Sequence, residues 1–196
     1  MKRSYIILGS IGLLLLIGII TYISVYNKAV SLQESVDEKW SNVQSAYQRR
    51  ADLVPNLVKT VKAYASHEKE TLTAVIEARS KATAVNIDPS KLDAESIQKF
   101  QEAQSGLSSA LSKLMVVVEQ YPDLKANKNF LELQAQLEGT ENRIKQERDK
   151  YNEAIKEYNT HIRGFFSSML LNKETFSKRT GFKAEAGSDK APEVKF

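Results

Sequence analysis

The first hydrophobic pattern along the chain is an unbroken run. From Ser4 to Asn27 there is no charged residue, and YIILGSIGLLLLIGIITYISVY is bounded by Lys2 and Arg3 before it and Lys28 after it. About 20 apolar residues in an α-helix cross a hydrocarbon core of roughly 30 Å, so this stretch predicts a single membrane-spanning helix. Tyr5, Tyr22 and Tyr26 stand near its ends, where a ring with one wet edge favours the interface. A cleaved signal peptide is the alternative. It is opposed by the length of the run and by the exit Thr21-Tyr22-Ile23-Ser24-Val25-Tyr26, which lacks an A-x-A-like pair of small residues. Lys2, Arg3 and the free amine against Lys28 and Lys39 leave a small positive-inside bias, toward a cytoplasmic N-terminus with the rest outside the cytoplasm. Gly9, Gly12 and Gly18 form no G-x-x-x-G ridge.

Beyond the run the pattern turns helical. Val36, Trp40, Val43, Tyr47 and Val54 follow steps of three and four, with Arg50 in the vacant place; Leu57, Val61, Tyr64, Glu68, Leu72, Val75 and Arg79 continue. The clearest seam is Ile97, Phe100, Gln104, Leu107, Leu111, Leu114 and Val118, a seven-residue repeat of coiled-coil type. A fourth stripe runs through Phe130, Leu133, Leu137, Thr140, Ile144, Tyr151, Ile155, Tyr158 and Ile162, in a helix expected from Asn127 to Leu171. Pro55, Pro89 and Pro122 divide these stripes. Asp88 is the expected N-cap of the third helix and Pro89 its first residue, within the turn 84–90; Tyr121-Pro122-Asp123 closes that helix. At Pro55 the apolar phase runs on, so a kinked single helix competes with a hairpin, and the matched segment lengths favour the hairpin. The expected architecture is all-α: an anchor over 1–27, an elongated four-helix up-and-down bundle over 28–171, and a mobile tail over 172–196 that carries Gly181, Gly187, Ser188 and Pro192.

Composition narrows the chemistry. The 196 residues include no Cys, which excludes disulfides, thiolate metal sites and a cysteine nucleophile. Eight Gly and four Pro are too few for a turn-dense β-fold. A net charge of +4 with basic and acidic residues interleaved does not form a nucleic-acid stripe. His67-Glu68-Lys69-Glu70-Thr71 has Thr where a zincin needs its second His, and Glu157 and His161 lack the spacing and the second pair of a di-metal site. Ser109-Ala110-Leu111-Ser112-Lys113 sits on the strongest amphipathic stripe and offers no strained elbow, and phosphate-binding glycine loops are absent. No catalytic residue, cofactor or metal is expected.

A few features stand out as interaction candidates. Arg49-Arg50 with Asp52 reads first as a salt-bridged helix end. Tyr151-Asn152 and Tyr158-Asn159 repeat at seven, so two phenols and two amides share helix faces, either capping a seam or lining a partner groove. Phe165, Phe166, Met169, Leu170, Leu171 and Phe176, among Lys173, Lys178 and Arg179, read mainly as the end of the bundle core, with an interfacial bilayer patch as the other reading.

Two long segments carry a resemblance: VDEKWSNVQSAYQRRADLVPNLVKTVKAYASHEKETLTAVIEARS from Val36, and YPDLKANKNFLELQAQLEGTENRIKQERDKYNEAIKEYNTHIR from Tyr121. The chain resembles the LemA family of bacterial membrane proteins, and GFKAEAGSDKAPEVKF is similar to that family's closing segment. The resemblance implies one N-terminal span, a soluble four-helix bundle with a break between helices at Pro55, and no active site to transfer. Gly164-Phe165-Phe166-Ser167 departs from the expected Phe-Pro-type stop, which points to a longer fourth helix. The expected role is a single-pass scaffold or adaptor of the cell envelope. Its expected partners are the lipid bilayer, a protein partner and further copies of itself, and no nucleic acid; a ligand sensor is the alternative, and a bundle metal-site enzyme a weaker one.

Overall fold

A computed structural model describes residues 2–89 and 92–183, and the regular structure among these is helical, with no strand. In chain order the helices are α1 (Lys2–Tyr64), α2 (Lys69–Ala84), α3 (Ala94–Val118), α4 (Pro122–Lys125), α5 (Lys128–Ile162) and α6 (Phe165–Leu170). Among the described residues only α1 is long and apolar enough to cross a membrane, and its side chains from Tyr5 to Ile20 are exposed. An α-helix rises 1.5 Å per residue. The 63 residues of α1 therefore form a rod of about 95 Å that carries the apolar stretch directly into the helical body.

Cross-helix contacts fix the directions. Arg79 on α2 reaches back to Ala51, so α2 runs down along α1. Phe100 lies against Tyr47 and Gln104 against Arg50, so α3 runs up again. Asn127, at the N-cap of α5, donates to Tyr64, and at the other end His161 lies 3.1 Å from the Val25 carbonyl. Thus α5 runs back along α1 toward the apolar stretch. The closest packed pairs are α1 with α5 and α2 with α3.

The core has two halves. Away from the apolar end, Val54, Leu57, Val61, Leu72, Val75, Leu107, Leu111, Leu114, Leu124 and Phe130 pack together. Nearer to it the core is aromatic, with Trp40, Tyr47, Phe100, Tyr151, Tyr158, Phe176 and Phe182. Helix α2 ends at Ala84. Alongside the lower part of α1, its place is filled by Ile87 and Leu92 and by a C-terminal segment that carries Phe176 and Phe182.

Several expectations need correction. Pro55 does not break the chain: α1 continues nine residues past it, to Tyr64. Pro55 has no N–H for the Ala51 carbonyl, and the Arg79 Nε–H donates to that carbonyl instead, at 2.7 Å. The reversal comes later, between Tyr64 and Lys69. There Ala65 is fully buried and the Tyr121 hydroxyl donates to the Glu68 carboxylate, while Tyr64, expected in the stripe, is exposed. The cap of α3 is Asp93, not Asp88. Its carboxylate accepts from the Ser96 backbone N–H at 2.8 Å, which holds the Asp93 pKa below the usual carboxylate range. Helix α5 stops at Ile162, because Gly164 takes a non-helical ψ of 154° and its N–H turns back to the His161 carbonyl. The expected helix to Leu171 is thereby divided. The supposed tail is packed as far as Phe182, which is buried; Gly187, Ser188 and Pro192, like Ser90 in the 84–90 turn, lie outside the described residues.

Candidate functional site

The two Tyr-Asn doublets of α5 meet a peptide. Seven residues along a helix advance about 10.5 Å, close to the roughly 10 Å covered by three residues of extended chain. Residues 177–182 lie beside α5 at that register, running antiparallel to it. Asn159 Nδ2 donates to the Arg179 carbonyl at 2.9 Å, and its Oδ1 accepts from the Arg179 N–H at 3.0 Å. Asn152 does the same with Phe182, at 3.2 Å and 2.8 Å. The Tyr158 hydroxyl donates to the Ser177 carbonyl and the Tyr151 hydroxyl to the Thr180 carbonyl. Both phenols are fully buried, and burial pushes each above its ordinary pKa, the Arg179 charge only partly offsetting it.

This segment also fills pockets. Phe176, Arg179 and Phe182 are buried while Ser177 and Lys178 are exposed, a three-residue period characteristic of extended, polyproline-like chain. Phe182 stacks on Trp40 at 6.0 Å and meets Tyr151 edge-on at 5.6 Å, with the Arg148 guanidinium 4.7 Å above its ring. Phe176 meets Tyr26 edge-on at the base. Arg179 donates to the Pro89 carbonyl and lies 3.8 Å from Asp37. Burial raises the Asp37 pKa against the lowering pull of Arg179, and Glu34 and Asp88 add to the rise. At Gly181 the segment and α5 touch closely, since a Cβ there would lie 2.5 Å from Asn152 Oδ1.

A second polar feature separates the two halves of the core. Arg50, 1% exposed, donates to Glu141 at 2.5 Å, to Ser108 at 2.8 Å and to Gln104 Oε1 at 2.9 Å. Gln104 in turn donates to the Ala82 carbonyl. Arg50, Gln104 and Thr140 are polar residues at stripe positions of three different helices, and each is buried. A polar layer of this kind fixes helix register, because a slip leaves a buried charge unpaired. Arg49 and Asp52 point elsewhere: both are exposed, and with Gln44, Gln48, Tyr47, Val85 and Asn86 they line a cleft of mixed polar and apolar character, about 500 Å³ in volume. Asp52 accepts from Gln48 at 2.8 Å. The Arg49-Arg50-Asp52 group is therefore split between surface and core.

The structure also separates the apolar residues after α5. Leu171 and Phe176 are buried, but Phe165, Phe166 and Met169 are 76%, 56% and 67% exposed, so they do not complete the core. They sit on α6, which packs against α1 at the end where His161 meets Val25. Thr21 and Val25 are half-buried amid exposed apolar residues of α1. Among the described residues no group of three or more His, Asp or Glu converges as a metal site would require.

The same chain can be set beside known proteins. The LemA family model matches residues 39–196. Protein LemA of Metamycoplasma hominis is 26% identical over 162 residues, covering 82% of this chain and 70% of that protein. Magnetosome protein MamQ 2 of Paramagnetospirillum magneticum is 30% identical over 161 residues, covering 74% of this chain and 59% of its own length. Magnetosome protein MamQ of Magnetospirillum gryphiswaldense is 28% identical over 171 residues, covering 78% and 63%. The chain thus spans about three-fifths of the MamQ relatives it matches.

Proposed function

The chain belongs to the LemA family, and from that premise we propose that it is a non-catalytic scaffold or adaptor of the cell envelope. It is held by one N-terminal span and acts through protein and bilayer contacts of an elongated four-helix up-and-down bundle. The observation that carries this reading is α1 itself, one helix from apolar stretch to helical body, with the exposed Phe165, Phe166 and Met169 at the same level. A lone helical tether leaves a body free to swing. A second apolar contact beside it, at the headgroup and acyl boundary, fixes the tilt. That relatives are named for a structure, the magnetosome, and not for a reaction supports the non-catalytic reading. The charge bias at the two ends of the span supports a body outside the cytoplasm.

The chain has no cysteine of its own, so one introduced thiol reports without background. Met169→Cys, labelled with an environment-sensitive dye and inserted in liposomes, is expected to show lipid-like emission that Phe165→Ser with Phe166→Ser abolishes. Water-like emission with the span inserted would overturn the bilayer contact. Crosslinking in intact membranes is expected to capture higher-mass adducts, and a chain that yields none is not a scaffold.

A further inference from the structure

The residues of α5 that hold the 176–182 segment read its main chain. Each asparagine closes two hydrogen bonds on one residue of an extended peptide, and each buried phenol takes one more carbonyl. This mode of recognition belongs to peptide-binding grooves, where backbone bonds give affinity and side-chain pockets give specificity. Here the pockets ask for an aromatic residue, then Arg at the third following position, then Gly and an aromatic residue at the fifth and sixth. FSKRTGF meets every demand. The segment lacks helical or strand structure of its own and joins α6 through Asn172, Lys173, Glu174 and Thr175, all exposed. Drawn out, the five steps from Leu171 to Phe176 reach roughly 17 Å.

We propose that the groove between α1 and α5 is a peptide-binding site that a second copy of this chain fills with its own 176–182 segment, linking anchored copies by segment exchange. The sequence the groove selects is present in every copy, so exchange needs no contact that one chain does not already make; swaps of this kind are a low-cost route to association. Anchoring by the N-terminal span holds all grooves at one height and raises the local concentration of the segment. The inference rests on the anchored-scaffold reading and names the partner that scaffold would hold.

The test uses two full-length variants in lipid vesicles, differently tagged. Asn152→Ala removes two backbone hydrogen bonds from the groove but keeps a normal segment. Gly181→Ala keeps a normal groove, but its segment collides with Asn152. Each variant alone is expected to associate about as the unaltered chain does, because exchange replaces a weakened contact within each copy by the same weakened contact between copies. Mixed, they are expected to pair with one another about tenfold more than either pairs with itself, because the unaltered segment then meets the unaltered groove across copies and regains two hydrogen bonds, and the added methyl group faces the shortened side chain. A synthetic peptide spanning 175–183 is expected to compete with that pairing. Far-UV circular dichroism of each variant checks that the helices persist; if either loses helicity, restoration of helicity on mixing serves as the readout. Mixed variants that pair no better than either alone would overturn the exchange. If the unaltered chain associates and the 175–183 peptide leaves that association unchanged while mixing the variants brings no gain, the inference fails while the scaffold reading stands. If neither the unaltered chain nor any variant associates, the exchange fails, and the scaffold reading falls with it when α6 shows no lipid contact either.

Discussion

Replacing Arg79 by Met tests why a proline sits inside the longest helix of this protein. Pro55 withholds the N–H that the Ala51 carbonyl would accept, and Ala51 is 2% exposed, so water does not take its place. The donor is Arg79 Nε at 2.7 Å. Removing that donor leaves a buried acceptor unmet, at a cost of about 1–3 kcal/mol. The Arg79–Asp52 pair adds little, at 3.9 Å between partly exposed groups. In a Pro55→Ala background the restored N–H meets Ala51, and the same Arg79→Met change should cost only a few tenths of a kcal/mol. The expected coupling between positions 55 and 79 is therefore about 1–2 kcal/mol. The assay is urea unfolding of the four full-length proteins of the cycle in one detergent, followed by far-UV circular dichroism. Equal costs of Arg79→Met in the two backgrounds would refute the reasoning and leave the unbroken α1 without its explanation.

The polar layer makes an ordered prediction: Arg50→Ala should cost about 3–5 kcal/mol because it breaks a buried network, whereas Glu141→Gln should cost about 1–2 kcal/mol, since Glu141 is half-exposed and Gln keeps an acceptor. Denaturant midpoints in the reverse order would mean that Arg50 is not a core residue. Asp37 gives the pH dependence. Its folded pKa lies above the unfolded 3.8, so its contribution to stability is fully present below 3.8 and is lost as pH rises through the folded value, with Arg179 opposing and Glu34 and Asp88 reinforcing. The stability of the unaltered chain relative to Asp37→Asn should fall between pH 3 and 7 in unfolding curves; a relative gain on raising the pH would show that the Arg179 pair dominates.

The legible parts were those with a local period. All seven positions of the third stripe, Ile97 to Val118, are buried in α3, because a 3.6-residue repeat records which face of a helix is covered. The same logic hid the first reversal. The stripe keeps its phase through Val61, Ala65 and Leu72, so the turn between α1 and α2 leaves no trace in it. Pro55 misled because its remedy is an arginine on another helix, 28 residues beyond the Ala51 carbonyl it serves. Polar residues at stripe positions marked Arg50 and Gln104, but their meeting depends on helix register, which no single stripe contains. The C-terminal segment reads as a tail in the sequence because helical periodicity fades after Leu171 and Gly181, Gly187, Ser188 and Pro192 follow, while the recurrence of Phe176, Arg179 and Phe182 at a strict three suits extended chain. The matching signal was present on α5, where Tyr-Asn recurs at seven, and only the pairing of the two periods discloses a groove.

Those two periods also explain why the span and the groove belong to one device. From Tyr26 to Trp40 the helix rises about 21 Å, so the pocket for Phe182 stands at a fixed height above the end of the apolar stretch. The segment starts at that end, with Phe176 against Tyr26, and climbs α5 to Trp40. A hinge between span and body would let the groove move relative to the bilayer and to a neighbouring copy. The continuous α1 forbids it, and the bilayer contact proposed for α6 would resist tilting about α1. A groove held this way meets segments presented at its own height and rising in its own direction, the condition met by copies standing in the same leaflet and by few soluble peptides.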